Sequence, residues 1–239
     1  MSSRSGTSTH VLPGDPPVEV ILRRSRRAKR FSLRVSRSDG RVSMSLPLWA
    51  PEDEALAFLR DRADWVRGHL DRASAPRFAR IGETMPICGI PRPILQGDRR
   101  SARFEDGQIR VPAGPREAAR VKALLTAMAR DRLASAVADH AAKIGRRPGR
   151  LTLRDPRSRW GSCSTRGDLM FSFRLIMTPP EVLDYVAAHE VAHLVEMNHG
   201  PAFWSLCRQL CPATETHRRW LRDNGAALLA WRFDTRSED

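Results

Sequence analysis

No apolar run in this chain approaches the roughly 20 residues that a membrane-spanning helix requires, so a soluble protein with no membrane partner is expected. Cysteine is scarce. Cys88, Cys163, Cys207 and Cys211 follow no C-x-x-C spacing, which excludes a zinc knuckle, a dithiol redox pair and a disulfide framework. Reduced, mostly buried thiols in a cytoplasmic protein are expected instead. Aromatic residues make up 6% of the chain and none interleaves with its basic cluster, as a stacking platform for single-stranded nucleic acid requires. A glycine-rich phosphate loop and a carboxylate cluster suited to magnesium are both missing. The first 15 residues lack the apolar segment of a secretory signal and read, with the next two, as a leader without order, residues 1–17.

At 239 residues and 41% hydrophobic composition the chain can bury a core without a disulfide or metal. A metal site, if there is one, therefore serves chemistry. The net charge of +14 is uneven: residues 1–50 hold 10 basic and 3 acidic side chains, 101–150 hold 11 and 5, and 151–200 hold 5 and 6. The cluster Arg23, Arg24, Arg26, Arg27, Lys29 and Arg30 can attract nucleic acid or nucleotide phosphates. Only three of the 41 basic residues are lysines, however, and so general a bias towards arginine says little about one ligand. Nucleic acid is kept as a partner class but is not favoured.

Hydropathy alternates with a period of two over 18–22, 31–35 and 42–46, with Asp39-Gly40 as a turn signal before the third stretch. These are expected to be strands of an antiparallel meander. Pro51, acids at 52–54 and apolar residues at helical spacing predict an amphipathic helix to about Asp71. Gly- and Pro-punctuated strands follow to Val111, then a long helix from Pro115 to about Ile144 that Gly145 stops. Strands are predicted over 150–154 and 169–173, with a turn at 166–168. Thr178-Pro179-Pro180-Glu181 resembles a capping box for a helix from Pro179 to about Met197. Two more helices start near Pro201 and Pro212. The fold class is α+β: an antiparallel β-rich N-terminal region over 18–112 with one helix, then a helical, catalytic region over 113–239 that includes the connecting helix.

The chemistry lies in the helix before Met197. His189-Glu190-x-x-His193 puts two imidazoles one turn apart on one face, with Glu190 about 100° around the axis, beside a shared ion without binding it. A third histidine, His199, would lie about 9 Å beyond His193 if the helix continued, so the helix has to end first. Asn198, Gly200 and Pro201 permit such a break. Three neutral imidazoles leave one tetrahedral position open, as a catalytic zinc requires. Glu190 is then the candidate general base for metal-bound water. Arg159 is a candidate for a substrate carboxylate or phosphate, and Glu196 for orienting a ligand imidazole. Tyr185, Trp160, Phe203 and Trp204 read as packing residues, whereas His217 and Arg218 are candidates for the side opposite the metal.

The stretch Arg159-Trp160-Gly161-Ser162-Cys163, the residues Pro179 to Val186, His189 to His199, and Ala202-Phe203-Trp204 resemble the YgjP-like family of zinc metallopeptidase domains, a relative of the SprT-like and WLM zincins. The likeness extends over about residues 18–225, including the helix that carries Trp65. It implies a zincin-like catalytic half with His189, His193 and His199 as ligands, Glu190 as base, and Arg159, Trp160, Gly161 and Ser162 near the substrate. A metallopeptidase acting on polypeptide is the expected function, with Leu169 to Phe173 as the edge strand that receives it. Two alternatives stay open. One is a nucleoside triphosphate pyrophosphohydrolase using the same zinc. The other is a DNA-associated zinc protease docked through the arginine-rich first half.

Overall fold

Strand β2 (Val18–Ser25) alternates as the sequence predicts, with Val18, Val20 and Leu22 buried and Glu19 and Arg23 turned outward. The computed structural model describes residues 6–36, 40–70 and 75–234, and the chain divides into two compact units, 1–76 and 77–239. In the first unit β2 lies between β1 (Thr7–Leu12) and β4 (Val42–Pro47), and β3 (Ser32–Val35) closes the other edge. Thr7–Leu12, expected within a leader without order, thus pairs antiparallel with β2 and buries Leu12. The sheet is mixed rather than a meander, because β2 and β4 run parallel while β3 pairs antiparallel with β4. Asp39 of the expected turn lies outside the described residues, whereas Gly40 has the positive φ of 65° that suits a glycine.

Met44, Leu46 and Val20 face Ala55, Leu59 and Val66 from two helices, α1 (Glu52–Asp61) and α2 (Ala63–Leu70). The single helix expected here is broken at Arg62, and Asp71 lies outside the described residues. Part of the basic cluster is structural. Arg24 is half-buried and donates through Nη1 to the carbonyls of Leu48 and Ala50 at 3.2 and 2.8 Å.

The second unit begins with β5 (Arg77–Phe78), β6 (Thr84–Ile87), β7 (Ile90–Gln96), β8 (Arg103–Glu105) and β9 (Gln108–Val111). The last four form one sheet in the order β6-β7-β9-β8. These strands therefore belong with the helical part of the chain, and the division falls at Pro76 instead of near residue 112. Helix α3 (Glu117–Lys143) buries Val121, Leu125, Ala129, Leu133, Ala136 and His140 at helical spacing and ends on Gly145, in the left-handed region at φ 61°. A second sheet combines β10 (Leu151–Arg154), β11 (Gly161–Cys163) and β12 (Leu169–Ser172), with β12 in the middle, parallel to β10 and antiparallel to β11. The stretch expected to be an open edge is thus paired on both sides, and β11 is an edge instead.

A wholly buried 3-10 turn, Phe173–Met177, leads into α4 (Pro180–Ala192). Thr178 does not cap α4; its hydroxyl donates back to the Leu175 carbonyl at 2.7 Å and closes the 3-10 turn. Helix α4 is buried around most of its circumference, as an apolar helix in a core must be. Helices α5 (Pro201–Leu210) and α6 (Thr214–Leu229) pack on it, and β13 (Trp231–Arg232) returns to pair with β5. Among the described residues no helix is long and apolar enough to cross a membrane.

Arg174 ties these pieces together. It is 2% exposed and grips Asp155 with two parallel hydrogen bonds of 2.6 and 3.1 Å, while Nη1 donates to the carbonyls of Leu228 and Trp231. Burial raises the Asp155 carboxyl, but the hydrogen bonds and charge of Arg174, with Lys122 and Arg157 behind, outweigh it and hold the group below its ordinary value. A lowered folded-state value means stability fully present above about pH 4 and lost as pH falls through that value. Arg174→Ala is expected to cost about 3–5 kcal/mol, since it leaves a partly buried carboxylate and two carbonyls without their donor. In Asp155→Asn the acid-dependent share of stability should vanish. Denaturant unfolding from pH 7 down to pH 3 checks both, and an Arg174→Ala midpoint equal to wild type would refute the first.

Candidate metal centre

His189 and Glu190 lie in the last turn of α4, which stops at Ala192 with His193 as its C-terminal cap, five residues short of the expected end at Met197. The early stop is what lets the chain reverse. Residues 193–200 turn back, Gly200 adopts an extended conformation at φ −78° and ψ −178°, and Pro201 starts α5. His199 thereby comes to face His189, with their Nε2 atoms 3.1 Å apart. One nitrogen from each of His189, His193 and His199 lies within 4.8 Å of the others, a spacing that can hold one metal ion. The donor set fits such an ion chemically as well. Burial first, then His193 and His199, push the His189 imidazole down to about 3, and burial lowers His193 too, so both rings offer unprotonated nitrogens at neutral pH.

Ring orientation comes from the backbone and from one phenylalanine. His193 donates through Nδ1 to the Glu196 carbonyl at 2.9 Å, leaving Nε2 as its free nitrogen. The sequence pointed to Glu196, but it is the main-chain oxygen that does the orienting. Phe203, fully buried, touches all three imidazoles with ring centroids 4.9, 4.4 and 4.7 Å away. Its place as the floor of the histidine cluster was not legible in the sequence; the only signal is its position in the first turn of a helix that starts immediately after His199.

Glu190 is 5% exposed, and burial raises its carboxyl to about 8 against the opposing charge of Arg159. Its carboxylate lies against Gly161 of β11, where an added Cβ would stand 2.5 Å from Oε1. A side chain at 161 would make the strand or the carboxylate shift. A cleft of about 400 Å³ opens here, with Arg159, Gly161, Ser162, Glu190 and the three histidines in its wall. Trp160 instead packs against Gly225 of α6, away from this wall. Tyr185 is buried with its ring 6.0 Å from that of His189 and 6.2 Å from that of His217, and Arg218 lies over Trp204 at 4.9 Å. Neither His217 nor Arg218 reaches the cleft wall. Cys163 does, but burial, then Glu190 and Asp168, raise its thiol to about 11, so it is no thiolate nucleophile at neutral pH.

The family model described as YgjP-like, metallopeptidase domain, matches residues 29–224. The chain belongs to that family. The match starts after β2 and spans the rest of both units through most of α6, including the whole histidine cluster and the edge strand. No curated protein and no solved structure matches the chain. A YgjP-like domain with α4, β11 and this cluster is a metallopeptidase-type hydrolase by family, with three histidines able to hold a metal.

Gly161→Ala forces either β11 or the Glu190 carboxylate to move. The expected cost is about 1–3 kcal/mol, typical of an overpacked site. Urea unfolding of the metal-free protein measures it, and an unchanged midpoint would show that the carboxylate yields without strain.

Proposed function

We propose that the chain is a zinc metallopeptidase in which His189, His193 and His199 hold the metal and Glu190 is the general base. The observation that carries this reading is the buried carboxylate of Glu190 set between the histidine cluster and the edge strand β11. Zinc, when bound, supplies Lewis acidity towards the scissile carbonyl and the attacking water, together with a positive charge that favours the ionised form of Glu190. Every other element belongs to the chain itself. The edge of β11 offers backbone groups to an extended polypeptide, which places the peptide bond alongside Glu190. Glu190 Oε1 or Oε2 takes the proton from the attacking water and later delivers it to the leaving amine. Gly161, having no side chain, leaves room for the carboxylate in that position. Ser162 and Arg159 complete the wall that meets the substrate, the latter with a guanidinium available to a carboxylate. The four free cysteines support a cytoplasmic setting for this activity.

Purified protein is expected to carry about one zinc per chain. Elemental analysis of His193→Ala should find most of it gone, and full metal content in that variant would remove His193 from the ligand set. Glu190→Gln is expected to keep the zinc while cleavage of an unfolded protein falls by about 10²–10⁴-fold, the usual loss for a removed general base. Mass spectrometry of the digest gives the rate, and wild-type cleavage by Glu190→Gln would place the base elsewhere.

A further inference from the structure

The sheet that carries the edge strand has a second face. Strand β10 turns Leu151 and Leu153 towards the core, so Thr152, Arg154 and the preceding Arg150 project from the opposite side. Register aligns Thr152 with Met170 on β12 and Met170 with Ser162 on β11, which makes this one continuous outer surface. A groove of about 740 Å³ lies over it, walled by Arg150, Arg154, Arg157 and Arg159. It shares Ser158, Arg159, Ser162 and Cys163 with the cleft at the histidines, so the two are joined across β11.

Charge in the groove is one-sided. Asp168 is its one carboxylate, and that side chain already accepts a hydrogen bond from the Arg150 main-chain N–H at 2.9 Å. Among the described residues no ion pair engages Arg150, Arg154 or Arg159, in contrast to Arg174, which is fully matched. Residues 151–200 have five basic and six acidic side chains, so composition does not create this surface; the fold gathers four of the chain's guanidinium groups on one side of three short strands. Planar guanidinium forks match carboxylates in pairs. No aromatic side chain lines the groove, so a nucleobase finds nothing to stack on.

We infer that this groove is a subsite for acidic residues of the polypeptide substrate, flanking the bond that is cleaved; the inference rests on the peptidase reading. The enzyme then prefers segments rich in Asp and Glu, and the preference weakens as salt screens the exposed arginines.

Binding and cleavage are measured separately. Three fluorescent peptides with one shared apolar centre and flanks built from Gly with Glu, Gln or Lys are titrated by anisotropy into the zinc form of Glu190→Gln. The Glu peptide is expected to bind about tenfold more tightly than the Gln peptide at low salt, and the Lys peptide more weakly than either. Adding Arg150→Gln and Arg154→Gln should collapse that ratio towards one, while Arg130→Gln with Arg132→Gln on α3 should leave it in place. Zinc content and unfolding midpoint confirm that each variant is folded. Equal binding of the three peptides, survival of the preference without Arg150 and Arg154, or equal loss in both double variants overturns the inference. So does tighter, arginine-dependent binding of a single-stranded oligonucleotide or a nucleoside triphosphate. Cleavage by the chain with Glu190 intact decides the underlying reading. Cleavage without charge preference rejects the subsite alone, whereas charge-dependent binding with no cleavage of any peptide rejects the peptidase and leaves an acid-binding groove.

Discussion

Helix α4 has to end within one turn of His189, and the histidine cluster depends on that termination. Continued by one more turn, the helix would carry His199 away along its axis and leave only two imidazoles together. Ending at Ala192 costs the helix the carbonyl partners of its last turn, which Leu194, Val195 and Glu196 recover through main-chain N–H groups donating to Val191 and Ala192. The Glu196 carbonyl is then free to fix the His193 ring. One backbone event thus satisfies the helix end, orients one imidazole and returns a third to the other two.

The second constraint is dielectric. Burial works against charge on His189, His193 and Glu190 alike, lowering the first two and raising the third. Burial thus favours the unprotonated imidazoles and biases Glu190 towards its protonated form, with Phe203 packed on the two rings. Unprotonated imidazoles facing a cleft favour a cation, and among the described residues Arg159 is the one arginine in the wall of that cleft. The charge of Arg159 acts on Glu190 and that of Arg218 on His189.

Much of this was legible in advance because it is local. The H-E-x-x-H spacing, the need for a helix break before His199, and the alternation of β2 and β4 each follow from one periodicity. What was not legible is long-range pairing. Hydropathy says that 169–173 is a strand but not that it lies between two others, since a central strand and an edge strand differ in their partners and not in their own residues. The same holds for Thr7–Leu12, a polar segment whose order comes from pairing with β2. The neighbours of Thr178 suit a helix cap, yet the 3-10 turn before it offers its hydroxyl the Leu175 carbonyl. The arginine groove is not legible in the sequence, because Arg150, Arg154, Arg157 and Arg159 are spread over ten residues that read as a strand and a loop.

The contact between Gly161 and Glu190 has a consequence for how this site can vary. A methyl group at 161 and a full-length glutamate at 190 claim the same volume, so the two positions are not independent. A side chain at 161 requires β11 or the glutamate to shift, and a shift of the glutamate changes how far its carboxylate reaches into the cleft. Position 161 thus helps to set how far the acid reaches although it supplies no functional group.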